Sequence, residues 1–180
     1  MKKNVLVFGL IAGLIVSCMM LYSVSQCYSS EDFDSSMVLG YAGMLLAFSM
    51  IFVGIRNFRD KYNNGVISFG KAFKIGLYIC LVASTMYVLV WLVDYYFFVP
   101  DFMDKYTAHL LHKSEAAGAS QQELQQQAAE LAKNNEMYKN PVIMILFTYL
   151  EILPVGLVIA LISAAILRRK SKEPVAAPTR

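Results

Sequence analysis

The sequence predicts an all-α integral membrane protein, a bundle of four transmembrane helices with an extracytoplasmic helical hairpin. Three observations predict it. Hydrophobic residues make up 57% of the 180-residue chain and charged residues 16%, at a mean hydropathy of +0.50, whereas a soluble domain carries about 25% charged residues. The apolar residues gather into four runs, each close to or above the roughly 20 residues that cross about 30 Å of hydrocarbon. The period-two alternation of a membrane barrel is missing from these runs, so their backbone polar groups must be satisfied within helices. Disorder, coiled coil and collagen are excluded by the same composition.

The first run spans about residues 4–25 and carries no charge. Lys2-Lys3 ahead of it also resembles a secretory signal, and Ile15-Val16-Ser17-Cys18 has the form of a lipoprotein cleavage box. The run continues past Cys18 through Met19, Met20, Leu21 and Tyr22, so an uncleaved first span is the expectation. Cleavage at Cys18 would leave three spans with every remaining loop on the same side. The second span covers about residues 37–55, again without charge. The third covers about residues 72–99, with Lys74 at one end and Asp94 near the other. The fourth covers about residues 141–167 and is interrupted only by Glu151. Residues 1–170 thus read as one membrane domain with a helical insertion at about 100–140, and residues 171–180 as a disordered cytoplasmic tail.

Lys and Arg accumulate on the cytoplasmic side of a membrane protein. Twelve of the 16 basic residues fall on one side, in Lys2-Lys3, the second connection and the tail. The other side has the acidic first connection, Gln26 to Ser36 with Glu31, Asp32 and Asp34, and a long third connection with four lysines. Both termini are therefore expected in the cytoplasm.

In the second connection, Asn63-Asn64-Gly65 signals a turn, because Asn and Gly tolerate positive φ, and Ser68 is placed to cap the third helix. Arg56, Arg59, Lys61, Lys71 and Lys74 interleave with Phe58, Tyr62, Phe69 and Phe73, which suits a segment in the headgroup region with rings inward and charges outward. The run abuts two spans, so nucleic acid is not the expected partner. In the third connection, Asp101 to Lys113 reads as an outward continuation of the third span, Gly118 as a hinge, and Ser120-Gln121-Gln122-Glu123 as a capping box opening another helix. The resulting hairpin is too small for a core of its own.

Glu151 is the most informative residue. A rise of about 1.5 Å per residue from Pro141 puts it roughly 15 Å deep, near mid-membrane, and Pro154 removes a helix hydrogen bond beside it. Such a carboxyl is costly in hydrocarbon and should face the bundle, protonated or hydrogen-bonded. Tyr87 and Ser17 reach its level. Two readings stand: a proton- or cation-responsive site among Glu151, Tyr87 and Ser17, or a neutral glutamic acid joining helices by hydrogen bonds; the second is the default. Asp94 lies only about 7 Å inside the outer boundary and, between Trp91 and the Tyr95-Tyr96-Phe97-Phe98 run, reads as part of an interfacial anchor. His109 and His112, near Asp104 and Glu115, share a helical face, but two imidazoles fall short of a structural zinc site. Solvated histidines and no metal are expected. Cys18, Cys27 and Cys80 show neither a disulfide framework nor metal spacing. Gly9 and Gly13 form a small-xxx-small pattern that allows close helix approach. No nucleophile triad, Walker loop, dinucleotide fingerprint or zincin motif is present, so neither an enzyme nor a cofactor is expected.

The segment from Gly65 to Gly76, Gly9 and Gly13, the Phe-Val-Gly-Ile-Arg-Asn-Phe-Arg run from Phe52 to Arg59, and Pro100-Asp101-Phe102 after the third span together resemble a bacterial family of small four-span membrane proteins, domain of unknown function 4199. The resemblance covers roughly residues 3–169. It implies the same topology and a Gram-negative inner-membrane setting, and it brings no catalytic residue, substrate or cofactor.

The functional expectation is a non-enzymatic membrane component that binds lipids, a membrane-protein partner or a second copy of itself, through the basic-aromatic loop and the outer hairpin. The alternative is a small transporter or proton-linked subunit working through Glu151. Four spans leave little room for a pathway and no inverted repeat is visible, an objection that a homo-oligomer would relax.

Overall fold

A computed structural model of the protein describes residues 1–30 and 33–169. These residues form six helices and no sheet: α1 (Lys2–Ser30), α2 (Phe33–Tyr62), α3 (Phe69–Phe97), α4 (Phe102–Ala116), α5 (Gln121–Tyr138) and α6 (Pro141–Leu167). Four of them, α1, α2, α3 and α6, are long and apolar enough to cross a membrane, and the protein is a multi-pass membrane bundle. Residues 171–180, expected to be a disordered tail, lie outside the described residues, as do Glu31 and Asp32 of the acidic connection.

Local chemistry places most boundaries. Asn64 and Gly65 adopt φ of 51° and 75°, the left-handed region that Gly and Asn enter at least cost. Ser68 then caps α3, its hydroxyl accepting from the Lys71 backbone N–H at 3.4 Å. Gly118, at φ 88°, turns the chain between α4 and α5. The Ser120–Glu123 capping box opens α5: the Ser120 N–H donates to the Glu123 carboxylate at 2.8 Å and the Glu123 N–H to the Ser120 hydroxyl at 3.3 Å. That backbone hydrogen bond holds the Glu123 carboxyl below its ordinary range. Asn140 caps α6 by accepting from the Val142 N–H at 2.9 Å, and Pro141 follows at the first helical position, where its missing N–H costs nothing.

Two expectations are corrected. The third span does not run on through Asp101 to Lys113; α3 ends at Phe97, and α4 is a separate helix. The N–H groups of Phe98 and Val99 both close on the Asp94 carbonyl, at 2.8 and 3.0 Å, and Pro100 has no N–H with which to continue. Likewise, Gln26 to Ser30 is not loop but the last turn of α1, and Cys27 is buried.

The glycines set how the spans meet. Gly9 faces Val82 and Gly13 faces Met86, so α1 and α3 run in the same direction. Gly43 faces Met19 and Gly54 faces Phe8, which makes α2 antiparallel to α1; Gly156 against Cys80 and Gly76 against Ala160 make α6 antiparallel to α3. Around the bundle the order is α1, α2, α6, α3, with α2 and α3 also meeting across one diagonal and α1 and α6 at opposite corners. Phe48, Ile51, Ile55, Ile75, Ile79, Met144 and Ile152 fill the interior. The perimeter is equally apolar, with Val38, Leu150 and Ile166 at 72%, 67% and 65% exposure, a surface that only hydrocarbon covers without cost. The α4–α5 hairpin buries no residue of its own.

Candidate functional site

Most of the close glycine contacts, at Gly9, Gly54, Gly76 and Gly156, lie in the half of the bundle that bears the termini; Gly43 against Met19 is the exception. At Gly76 a Cβ would sit 3.0 Å from the Ala160 Cβ, and at Gly156 one would sit 2.3 Å from the Cys80 Sγ. Towards the hairpin, larger side chains hold the four spans apart and enclose a cavity of about 350 Å³. Its wall takes Val16, Met20 and Cys27 from α1, Gly40, Tyr41 and Met44 from α2, Tyr87 and Trp91 from α3, and Thr148 and Glu151 from α6. Phe102, Met103 and Tyr106 of α4 and Tyr138 of α5 close its hairpin end.

Contacts from three helices hold this roof in place. The Tyr28 hydroxyl, at the end of α1, donates to the Asp101 carboxylate just before α4, and the Lys105 ammonium sits 3.6 Å over the Tyr28 ring. Phe33, the first residue of α2, packs its ring 5.8 Å from Phe102, 5.6 Å from Tyr106 and 5.0 Å from His109. The Lys113 ammonium lies 2.7 Å from Asp34. On the opposite wall, the Trp91 indole N–H donates to the Tyr138 hydroxyl at 2.8 Å.

Glu151 is reachable from the cavity rather than sealed in the core, and it is within electrostatic reach of the Tyr87 and Tyr138 hydroxyls. Among the described residues, no lysine, arginine or histidine lines the cavity, and Glu151 is its one carboxylic acid. Tyr87 and Glu151 therefore meet as the depth count expects. Ser17 does not join them: its hydroxyl is buried on α1, outside the cavity wall, with no hydrogen-bond partner among the described residues. Asp94 departs from the anchoring expectation. Its side chain is buried on the face of α3 that carries Tyr87, Trp91 and Tyr95, and its Oδ2 has no partner among the described residues. Placement at i, i+4, i+7 and i+8 turns it inward.

The sequence reading missed Gly40, Tyr41, Tyr138 and Thr148. A Cβ on Gly40 would meet nothing within 4 Å. The available signal was the concentration of interhelical glycines towards one end of the spans, which leaves the other end to bulky residues.

The basic segment lies at the termini end, where Arg56, Lys61, Lys71 and Lys74 are exposed. Lys71 donates to Asn63 Oδ1 at 2.6 Å and lies 5.2 Å from the Phe58 ring centroid; Lys74 lies 6.0 Å from that of Tyr78. Arg59 is different. It is buried, pairs with Asp60 at 2.7 Å and donates through Nη1 to the Leu167 carbonyl at 3.3 Å. A guanidinium satisfies an orphan carbonyl and the negative pole at the end of α6, so Arg59 is committed inside the protein. Beside it, Ile67 and Arg169 exchange backbone hydrogen bonds at 3.0 and 2.9 Å. In the hairpin, His112 is exposed and His109 Nε2 lies 3.9 Å from Asp34. Among the described residues, no group of three His, Cys, Asp or Glu is placed to hold a metal.

No curated protein and no solved structure matches the chain. The family model described as Protein of unknown function (DUF4199) does match, over residues 7–169. That stretch takes in nearly all of α1 and the whole of the other five helices, and the chain belongs to this family.

Proposed function

We propose that the protein is a non-enzymatic binding component of a bacterial inner membrane, with both termini in the cytoplasm, that takes one apolar or amphipathic small molecule into the cavity between its spans. The observation that carries this reading is the cavity itself. About 350 Å³ falls within the range of small-molecule sites, which runs from about 300 to 1,000 Å³. Four methionines on its wall, Met20, Met37, Met44 and Met103, supply a deformable apolar lining. The exposed bases at the termini end suit lipid phosphates and the cytoplasmic leaflet. A membrane-protein partner or a second copy would dock on the hairpin, whose helices bury nothing of their own.

Binding is favoured over conduction. The termini half is packed tightly around Gly54, Gly76 and Gly156, where an added Cβ would sit 2.5, 3.0 and 2.3 Å from a neighbouring side chain, and the α4–α5 roof covers the hairpin end, which leaves a pocket and not a pathway. Trp91 is the sole tryptophan and lines the cavity, so it serves as the reporter. A neutral brominated alkyl alcohol added to the protein in nanodiscs should quench Trp91 saturably. The Gly40→Phe variant, which puts a ring into the open space, should lose the saturable component. Quenching that rises only in proportion to the probe's membrane fraction, and equally in both proteins, would remove the reading.

A further inference from the structure

Resting on that cavity reading, we propose that the ligand is a lipophilic monocation, a quaternary ammonium or protonated amine on an apolar body, with the Glu151 carboxylate as its counter-charge and the rings of Tyr87, Trp91 and Tyr41 beside its positive group. A carboxylate in a low-dielectric cavity is stable only with a proton or a cation close by. The protein supplies no cation: among the described residues, no basic side chain lines the cavity, and no ion pair or hydrogen bond engages the Glu151 carboxyl. When Glu151 is ionised, the charge that completes the site must therefore arrive with the ligand.

The rest of the wall selects which cation. An aromatic face attracts a cation through its quadrupole, most strongly where water is excluded, and quaternary ammonium groups are the usual guests of such ring clusters. Tyr41, Tyr87, Trp91, Tyr106 and Tyr138 all contribute to this wall. A divalent metal ion is disfavoured, since one carboxylate with no group of three ligating side chains among the described residues gives too few oxygens. An anion finds no positive partner on the wall. The methionines accept an apolar body of variable shape.

The test pairs decyltrimethylammonium with its uncharged isostere 2,2-dimethyldodecane, titrated against the protein in nanodiscs of zwitterionic lipid and read by Trp91 fluorescence. The wild-type protein should bind the cation about tenfold or more tightly than the isostere. In Glu151→Gln that ratio should fall to about one, with the helical spectrum and monodispersity of the variant confirming its fold. In Gly40→Phe both ligands should lose saturable binding. Equal wild-type affinities for cation and isostere would overturn the cation assignment and leave the cavity reading standing. Failure of both to bind would overturn both. A ratio that survives Glu151→Gln would overturn the role of the carboxylate.

Discussion

The Tyr28 hydroxyl donates to the Asp101 carboxylate across 73 positions of sequence, tying the end of α1 to the turn that launches α4. This bond holds the Asp101 carboxyl below its ordinary range, with the Lys105 ammonium as a lesser contributor. Because the folded pKa is depressed, the linkage stabilises the roof above the ordinary carboxylate value of about 3.9. The contribution fades as pH falls through the lower folded value. Tyr28→Phe should therefore speed amide hydrogen exchange across α4 at pH 7, and the gap between variant and wild type should close in strong acid. A gap that persists unchanged at low pH would mean that the ring, not the hydrogen bond, docks α4.

The two glycines Gly156 and Gly40 should answer the same substitution with opposite signs. At Gly156 an added Cβ would sit 2.3 Å from the Cys80 Sγ and 3.0 Å from the Phe48 ring, and overpacking of this kind costs about 1–3 kcal/mol. At Gly40 it meets nothing within 4 Å, so Gly40→Ala removes glycine's backbone entropy and should stabilise by about 0.5–1 kcal/mol. Cys80→Ala should restore part of what Gly156→Ala loses, because it withdraws the nearest atom. Unfolding curves of the three single variants and the double variant in detergent measure these terms. Additive losses in the double variant would show that Phe48 is the obstacle.

What was legible in the sequence was local or one-dimensional. Ser68, Ser120 and Glu123 act within a single turn of backbone, so their caps could be read without knowing the fold. Depth along a rigid helix can also be counted from sequence, which is why the count puts Tyr87 and Glu151 at one level, and both line one cavity. Depth gives level but not direction around the axis. Ser17 reached the same level and still points elsewhere, and Asp94, assigned to an interfacial anchor, is turned into the bundle. The cavity was invisible for the same reason: Gly40 and Tyr41 come to line one cavity with Glu151 only once α2 and α6 are set side by side. The break between α3 and α4 was marked by Pro100, and the apolar spacing of Phe102, Tyr106 and Leu110 masked it.

Arg59 and its exposed neighbours should separate by what their loss changes. Arg59 is buried, pairs with Asp60 and donates to the Leu167 carbonyl at the end of α6. Arg59→Gln should lower thermal stability, since it strands a carbonyl and removes a cation from a helix C-terminus. Lys61→Gln and Lys74→Gln, at exposed positions, should leave stability unchanged and weaken preference for anionic over zwitterionic lipid by about 1 kcal/mol per charge. Competition between the two lipid types, measured by native mass spectrometry, reads the second effect. A lipid preference that falls only in Arg59→Gln would overturn the assignment of the exposed lysines to headgroups.

The proposed orientation rests on the same charges and has a direct test. The exposed bases Arg56, Lys61, Lys71 and Lys74 cluster at the end opposite the hairpin, and moving them across the membrane during insertion is disfavoured. Gln126 on α5 and Lys61 near the end of α2 are both exposed, so a cysteine at either is open to reagent from its own side only. The native Cys27 and Cys80 are buried and Cys18 sits within the apolar length of α1, which keeps the background low. A membrane-impermeant maleimide should label Gln126→Cys in intact cells and Lys61→Cys only after the inner membrane is opened. The reverse pattern would put the hairpin in the cytoplasm. The headgroup role of the lysines would then have to be fulfilled on the outer leaflet, where the anionic surface potential that favours it is not expected.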